Sequence, residues 1–332
     1  MNKRKLFPFV LVFLLVFPAF AGSVTDIRRD VYPLTRNGIA LHLESYVSDS
    51  SLDAASDTTS DAASNAGNEP LSGSEPLLLI HGLTYSSHEF DVNCKDYSLA
   101  RFFAHNGFKV WLLDIAGYGS SQEVEDGFMP DSDYAAEDIA AAVRFILDKS
   151  GRKSLDILGW SWGTVTSGRF AAKNPDLVKR LVLYAPIVAG LADVKVEVPF
   201  NHNTWLHAAG DFQVKADGSI DYEIVEPEVV DTFLSNCWRF DKDSSPNGGR
   251  KDLLVSPEKR LIPTAQLNIP VLIIAGANDP YVSPELCREA FNSLPDKNSR
   301  LEIIEGAAHA MMMEKPYYKI FRNKVLDFLK AN

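Results

Sequence analysis

Basic side chains are outnumbered in this chain: 33 Lys and Arg stand against 44 Asp and Glu, for a formal net charge of −11. A field of that sign repels phosphate backbones and anionic lipid surfaces, which argues against nucleic acid as a partner. Cysteine is scarce as well. Cys94, Cys237 and Cys287 are widely spaced and form no CxxC pair, so metal-ligand spacing is absent. One disulfide with a thiol left over, and three unpaired cysteines, are both compatible with that spacing. The apolar run Leu6 to Phe17, with Pro8 and Pro18 near its ends, is shorter than the roughly 20 residues of a membrane span. It follows Lys3, Arg4 and Lys5 and precedes the small-x-small pattern Ala19-Phe20-Ala21, with no lipid-accepting cysteine beyond. Residues 1–21 therefore read as a secretory signal peptide, cleaved after Ala21. The mature chain, 22–332, is expected to be secreted or periplasmic, with no stable membrane span. Aromatic residues are missing from Ser48 to Pro76, a Ser, Asp, Ala and Gly-rich stretch that cannot offset its ordering entropy by burial. It reads as a disordered surface loop that joins an early strand pair (IALHLESYV, Ile39 to Val47) to the main body.

What remains is ordinary globular composition, 46% hydrophobic and 23% charged. Short, near-continuously apolar runs alternate with amphipathic ones. PLLLIH (Pro76 to His81), KVWLLD (Lys109 to Asp114), LDILGW (Leu155 to Trp160), LVLYAP (Leu181 to Pro186), PVLIIAG (Pro270 to Gly276) and RLEIIEG (Arg300 to Gly306) have the character of strands buried on both faces. Helical patterns cover Tyr97 to Asn106, Asp133 to Ser150, Thr164 to Asn174, Pro284 to Leu294 and Pro316 to Leu329. The alternation implies an α/β fold with a mainly parallel central sheet and helices on both faces. The rhythm fails between about 187 and 262, where aromatics and short helix-like pieces are too apolar for a linker and too long for a loop. An inserted helical lid is expected there.

Between the run LDILGW and the helix after it lies Gly159-Trp160-Ser161-Trp162-Gly163, a G-x-S-x-G elbow in its required strand-to-helix context. The glycines suit a strained turn where a Cβ would clash with nearby backbone, and the turn lifts Ser161 past the strand end. A serine hydroxyl needs a base, and the base an orienting acid. Asp279 follows the run ending at Gly276, and His309 follows the run ending at Gly306. Both therefore sit, like Ser161, at the edge where open α/β sheets place their sites. The oxyanion of an acyl-transfer intermediate needs two N–H donors. The backbone of Trp162 and that of Leu83, in the loop His81-Gly82-Leu83-Thr84, are assigned to it, with the Thr84 and Tyr85 hydroxyls as neighbours. His81 reads as a structural histidine that anchors this loop.

The motifs HGLTYSS, DIAGYGSS (Asp114 to Ser121), GWSWG, GANDPYV and GAAH, spread from about Pro76 to the C-terminus, resemble those of the α/β-hydrolase superfamily. The resemblance implies that fold, a Ser161–His309–Asp279 triad and no metal or organic cofactor. Dehalogenases and epoxide hydrolases of this fold place an aspartate where Ser161 stands, which disfavours their chemistry. GWSWGT is similar to the proline iminopeptidase elbow, but those enzymes carry an HGGPG-type loop where this chain has His81-Gly82-Leu83-Thr84-Tyr85. The expected activity is hydrolysis of a small-molecule carboxylic ester. Amide cleavage, with lid acids Glu223, Glu226, Glu228 and Asp231 holding an amine, is the second reading, and a catalytically idle fold that binds a ligand is the third. His202 and His207 read as solvated lid histidines and Met311 to Met313 as core. Trp160, Trp162, Trp205 and Trp238 read either as a pocket lining or, for the two lid tryptophans, as packing of the lid onto the sheet.

Overall fold

The computed structural model describes residues 27–49 and 74–331. The stretch 1–21 and nearly all of 48–76 lie outside them. The edges of the second stretch are regular structure: Ser48 closes one strand, and Glu75 and Pro76 open the next. Ile39 to Val47 lies within one strand, β2 (Ile39–Ser48), whose partner β1 (Ile27–Arg36) was not apparent as an apolar run. Asn37 and Gly38 join the two with φ of 51° and 80°, the paired positive values that suit the twist of a two-residue hairpin.

The central sheet has eight strands in the order β1-β2-β4-β3-β5-β6-β9-β10. Strands β3 (Glu75–Ile80), β4 (Phe108–Asp114), β5 (Leu155–Trp160), β6 (Val178–Tyr184), β9 (Val271–Gly276) and β10 (Arg300–Ile304) run parallel. β1 and β2 form an antiparallel edge against β4. Leu77 to Ile80 are wholly buried, so both faces of the sheet are covered. Near-continuous apolar sequence is what such strands require.

Helix α1 (Leu99–His105) is capped by the Ser98 side chain, which accepts from the Arg101 N–H. Helix α2 (Ser132–Ser150) starts at a capping Asp131 and stops at Gly151, whose φ of 66° the helix cannot continue. Helix α3 (Trp162–Lys173) begins directly after Ser161, two residues earlier than its apolar pattern suggested. Between β6 and β9 the chain forms a short ribbon, β7 (Phe200–His202) with β8 (Ser244–Pro246), and helices α4 (Trp205–Ala209), α5 (Pro227–Phe240) and α6 (Gly248–Leu253). Helices α7 (Pro284–Asn292) and α8 (Tyr318–Leu329) complete the chain.

Strand order decides where a site can form. From β3 the chain moves through α1 to β4 on one side, then returns past β3 to β5 and goes on to β6 on the other. The loops after β3 and β5 therefore diverge, which opens a crevice at their C-terminal ends. Helix α5 is held against the β3 loop: the Asn236 amide donates to the carbonyls of His88 and Asp91 at 3.2 Å. Asp241, just past the helix end, accepts from the N–H and hydroxyl of Ser86 and the N–H of Gly119.

The tryptophan expectations for the inserted segment do not hold. Trp205 and Trp238 are each about half exposed, at 51%, so neither packs that segment onto the sheet. The three cysteines are unpaired thiols, with Cys237 and Cys287 buried. Met311 to Met313 are buried core residues.

Candidate active site

Ser161 sits at φ 54° and ψ −119°, a region that an L-residue with a side chain rarely occupies. Backbone bonds hold it there: its N–H donates to the Tyr184 carbonyl at 3.0 Å, and its carbonyl accepts from the Thr164 N–H at 2.9 Å. Crowding accounts for the flanking glycines. A Cβ on Gly159 would lie 2.2 Å from the Gly163 carbonyl oxygen, and one on Gly163 would lie 2.4 Å from that of Ile80.

The loop after β3 runs against this turn, since a Cβ on Gly82 would meet the Ser161 Cβ at 3.3 Å. Buried His81 anchors the loop: its Nε2 accepts from the Ile115 N–H at 3.1 Å, which leaves Nδ1 to donate to the Gly82 carbonyl at 2.8 Å. Burial lowers the His81 pKa, in keeping with a neutral ring. The Gly82 N–H donates to Glu89 Oε1 at 2.7 Å and is therefore committed. The N–H groups of Leu83 and of Trp162, the first helical residue of α3, reach no protein acceptor among the described residues. Thr84 follows at φ 88°, a strained value for a β-branched residue, and its hydroxyl accepts from Arg250 Nη2.

Asp279 and His309 come together from the loops after β9 and β10. His309 Nδ1 lies 2.8 Å from Asp279 Oδ2, and both side chains are nearly buried. The other carboxylate oxygen, Oδ1, accepts from the N–H groups of Tyr281 at 2.9 Å and Val282 at 3.2 Å. The His309 carbonyl accepts from the Tyr184 hydroxyl at 2.7 Å and from the Trp160 indole at 3.2 Å. Trp160, one of the tryptophans that sequence offers as a pocket lining, thus pins the residue opposite Asp279. The Trp162 indole, by contrast, donates to the Ser132 hydroxyl at 2.9 Å. Burial alone would lower the His309 pKa, but Asp279, followed by Asp211 and Glu314, outweighs it and the net shift is upward.

Ser161 and His309 open onto one cavity of about 340 Å³, with Leu83, Thr84 and Tyr85 along its wall. The inserted segment supplies Leu206, Asp211, Arg250 and Leu253, and the loop after β9 supplies Tyr281. Burial, offset by His309 and reinforced by Asp279, pushes the Asp211 carboxyl up to about 6. Sequence did not single out Asp211 or Arg250, which lie in the inserted segment, Arg250 on the short helix α6, nor Tyr281, which lies inside GANDPYV but is not marked by that motif as facing a cavity. His207 is exposed as expected but also stands on the cavity wall, whereas His202 does not. Glu223, Glu226, Glu228 and Asp231 are absent from the lining, and Glu226 is bound to Lys95 and Tyr97. Among the described residues, His42, Glu44 and His88 bring metal-ligating atoms within 4.8 Å of one another. The Glu44 carboxylate, however, is already committed to Arg29 at 2.9 Å and the Tyr46 hydroxyl at 2.9 Å.

A family model described as the alpha/beta hydrolase fold matches residues 75–316. The Bacillus subtilis protein named uncharacterized carboxylesterase nap is 23% identical over 269 residues, which span 77% of this chain and 79% of that one. Human gastric triacylglycerol lipase is 32% identical over 140 residues, or 40% of this chain and 34% of the lipase, so only about a third of that enzyme is matched. Among solved structures, naproxen esterase from Bacillus subtilis superposes with a TM-score of 0.54 at 18% identity, covering 92% of both chains. The monoacylglycerol lipase of Paleococcus ferrophilus superposes with a TM-score of 0.58 at 19% identity, covering 77% of this chain and 95% of that one. Likeness at these identities speaks to the fold.

Proposed function

The chain belongs to the alpha/beta hydrolase fold family, and from that premise we propose that it hydrolyses carboxylic esters of small molecules through Ser161, His309 and Asp279. The observation that carries the proposal is the 2.8 Å pair of His309 Nδ1 and Asp279 Oδ2 opening onto the cavity that holds the strained Ser161. With Nδ1 facing the carboxylate, Nε2 is the nitrogen left to accept the serine proton. The Ser161 oxygen attacks the ester carbonyl as its proton passes to Nε2. The oxyanion is held by the free N–H groups of Leu83 and Trp162. Collapse breaks the ester C–O bond, and Nε2 returns the proton to the departing alcohol. Water then repeats the sequence on the acyl-enzyme: one proton goes to Nε2, the acid leaves, and the serine is regenerated.

The relatives named as carboxylesterase and lipase support an ester over an amide. So does the absence of Glu223, Glu226, Glu228 and Asp231 from the cavity lining. The segment at about 187–262 serves in this reading as a lid whose inner side completes the cavity, and residues 1–21 as an export signal. A fluorophosphonate probe is expected to label Ser161 in folded protein, and p-nitrophenyl butyrate to be turned over faster than a prolyl amide. Absence of the label would remove the catalytic reading, and faster amide turnover would replace ester with amide.

Charge next to His309 sets the pH dependence. The base must be neutral to accept a proton, so kcat/KM rises with pH through the His309 pKa. Asp211 favours the imidazolium. Asp211→Asn removes that influence, lowers the His309 pKa and moves the acid limb of the kcat/KM profile to lower pH. A limb that stays in place or moves upward contradicts the role given to Asp211.

A further inference from the structure

Arg250 is anomalous in an acidic protein. The other half-buried arginines among the described residues, Arg36, Arg101, Arg152, Arg169, Arg180 and Arg322, each lie between 2.5 and 3.8 Å from a carboxylate. Arg250 has no such partner there. Its hydrogen bonds to the described residues go to neutral acceptors, Asn247 Oδ1 at 3.0 Å and the Thr84 hydroxyl. Taking a guanidinium out of water costs free energy that a carboxylate normally offsets, and at Arg250 no anion among the described residues does so. The guanidinium has five N–H donors, and these two bonds leave some of them uncommitted.

The position of Arg250 adds the second half of the inference. It lines the cavity that holds Ser161 and His309, on the side of the Leu83–Thr84 loop to which it is bonded. Asp211 lines the same cavity on the side of His309 and Asp279, whose charges it feels. An anionic substrate group is therefore attracted at one side and repelled at the other. His309 protonates the departing alcohol, so the alcohol belongs beside Asp211 and the acyl part beside Arg250.

We propose that Arg250 binds a carboxylate at the far end of the acyl group, so that the substrate is a monoester of a short dicarboxylic acid. This rests on the ester-hydrolase reading of the same site. A guanidinium fork suits a carboxylate because two parallel N–H bonds fix both its position and its plane.

The test compares monoethyl glutarate with ethyl valerate, a neutral ester of similar length, and reads the ratio of their kcat/KM values. Wild-type protein is expected to favour the glutarate ester by at least about tenfold, and Arg250→Met to lower the ratio by about 30-fold. Arg250→Lys, which keeps the charge but loses the fork, should fall between them. A wild-type preference for ethyl valerate overturns the proposal. So does an Arg250→Met variant that slows both esters equally, because a residue that only steadies the Thr84 loop leaves the ratio unchanged. Calorimetric binding of glutarate to the Ser161→Ala protein needs no turnover. It should weaken about tenfold or more in the Ser161→Ala/Arg250→Met double variant. No glutarate binding sinks the carboxylate site even if neutral esters are hydrolysed. Glutarate binding without ester turnover or fluorophosphonate labelling sinks the ester-hydrolase reading instead.

Discussion

Ser161→Ala is expected to lower kcat on short p-nitrophenyl esters by about 10⁵-fold, leaving the modest acceleration that oxyanion donors and binding supply without a nucleophile. The melting temperature should stay within about 2 °C of wild type. The reason lies in what holds the turn. The Ser161 backbone is fixed by its N–H on Tyr184 and by Thr164 on its carbonyl, and none of these bonds needs the side-chain oxygen. Alanine keeps the same Cβ, so the strain at φ 54° is no greater than before. A kcat within tenfold of wild type would rule out Ser161 as nucleophile. A large drop in melting temperature together with lost turnover would show that the hydroxyl acts in folding.

Asp279→Asn is expected to lower kcat by about 10⁴-fold, with little change in KM. Asp279 uses its two oxygens differently: Oδ1 accepts from the Tyr281 and Val282 N–H groups, and Oδ2 faces His309 Nδ1. An asparagine that keeps the two backbone bonds must place its oxygen at the Oδ1 position, which turns its NH₂ toward His309. Nδ1 then accepts a hydrogen bond, the ring proton moves to Nε2, and the base faces Ser161 in the wrong tautomer. Loss of the carboxylate also removes the first of the charges that raise the His309 pKa. Kinetics across pH, with the melting temperature as control, test this. A loss below tenfold would point to an acid from a different strand.

Much of this architecture is visible in the residue string, and the reason is physical. Strands buried on both faces must be apolar throughout, so β3, β4, β5 and β9 stand out as short continuous runs. Their ends are recoverable to within a residue or two because Gly, Asp and Pro close them. β1 is harder to see, since it is an edge strand whose exposed positions carry Arg28, Arg29 and Pro33. The inserted segment has neither period, and its tryptophans mislead: Trp205 and Trp238 are half exposed. The role of Trp160 is hidden in the string because its partner, the His309 carbonyl, lies 149 positions away in the chain.

The elbow at Ser161, and the order in which serine, acid and histidine follow successive strands, are determined by sequence alone. They show as short local motifs, and the crowding of Gly159 by the Gly163 carbonyl is itself a contact four residues along the chain. The tertiary structure alone decided the approach of His309 to Asp279, the grip of Trp160 and Tyr184 on the His309 carbonyl, and the meeting of Asp211 and Arg250 in one cavity. Each of these depends on distances between segments far apart in the chain, set by strand order and by an irregular insertion. That no carboxylate among the described residues lies beside Arg250 belongs to the same class. A missing partner cannot be read from a string with 44 acidic residues, because only packing determines which of them each arginine meets.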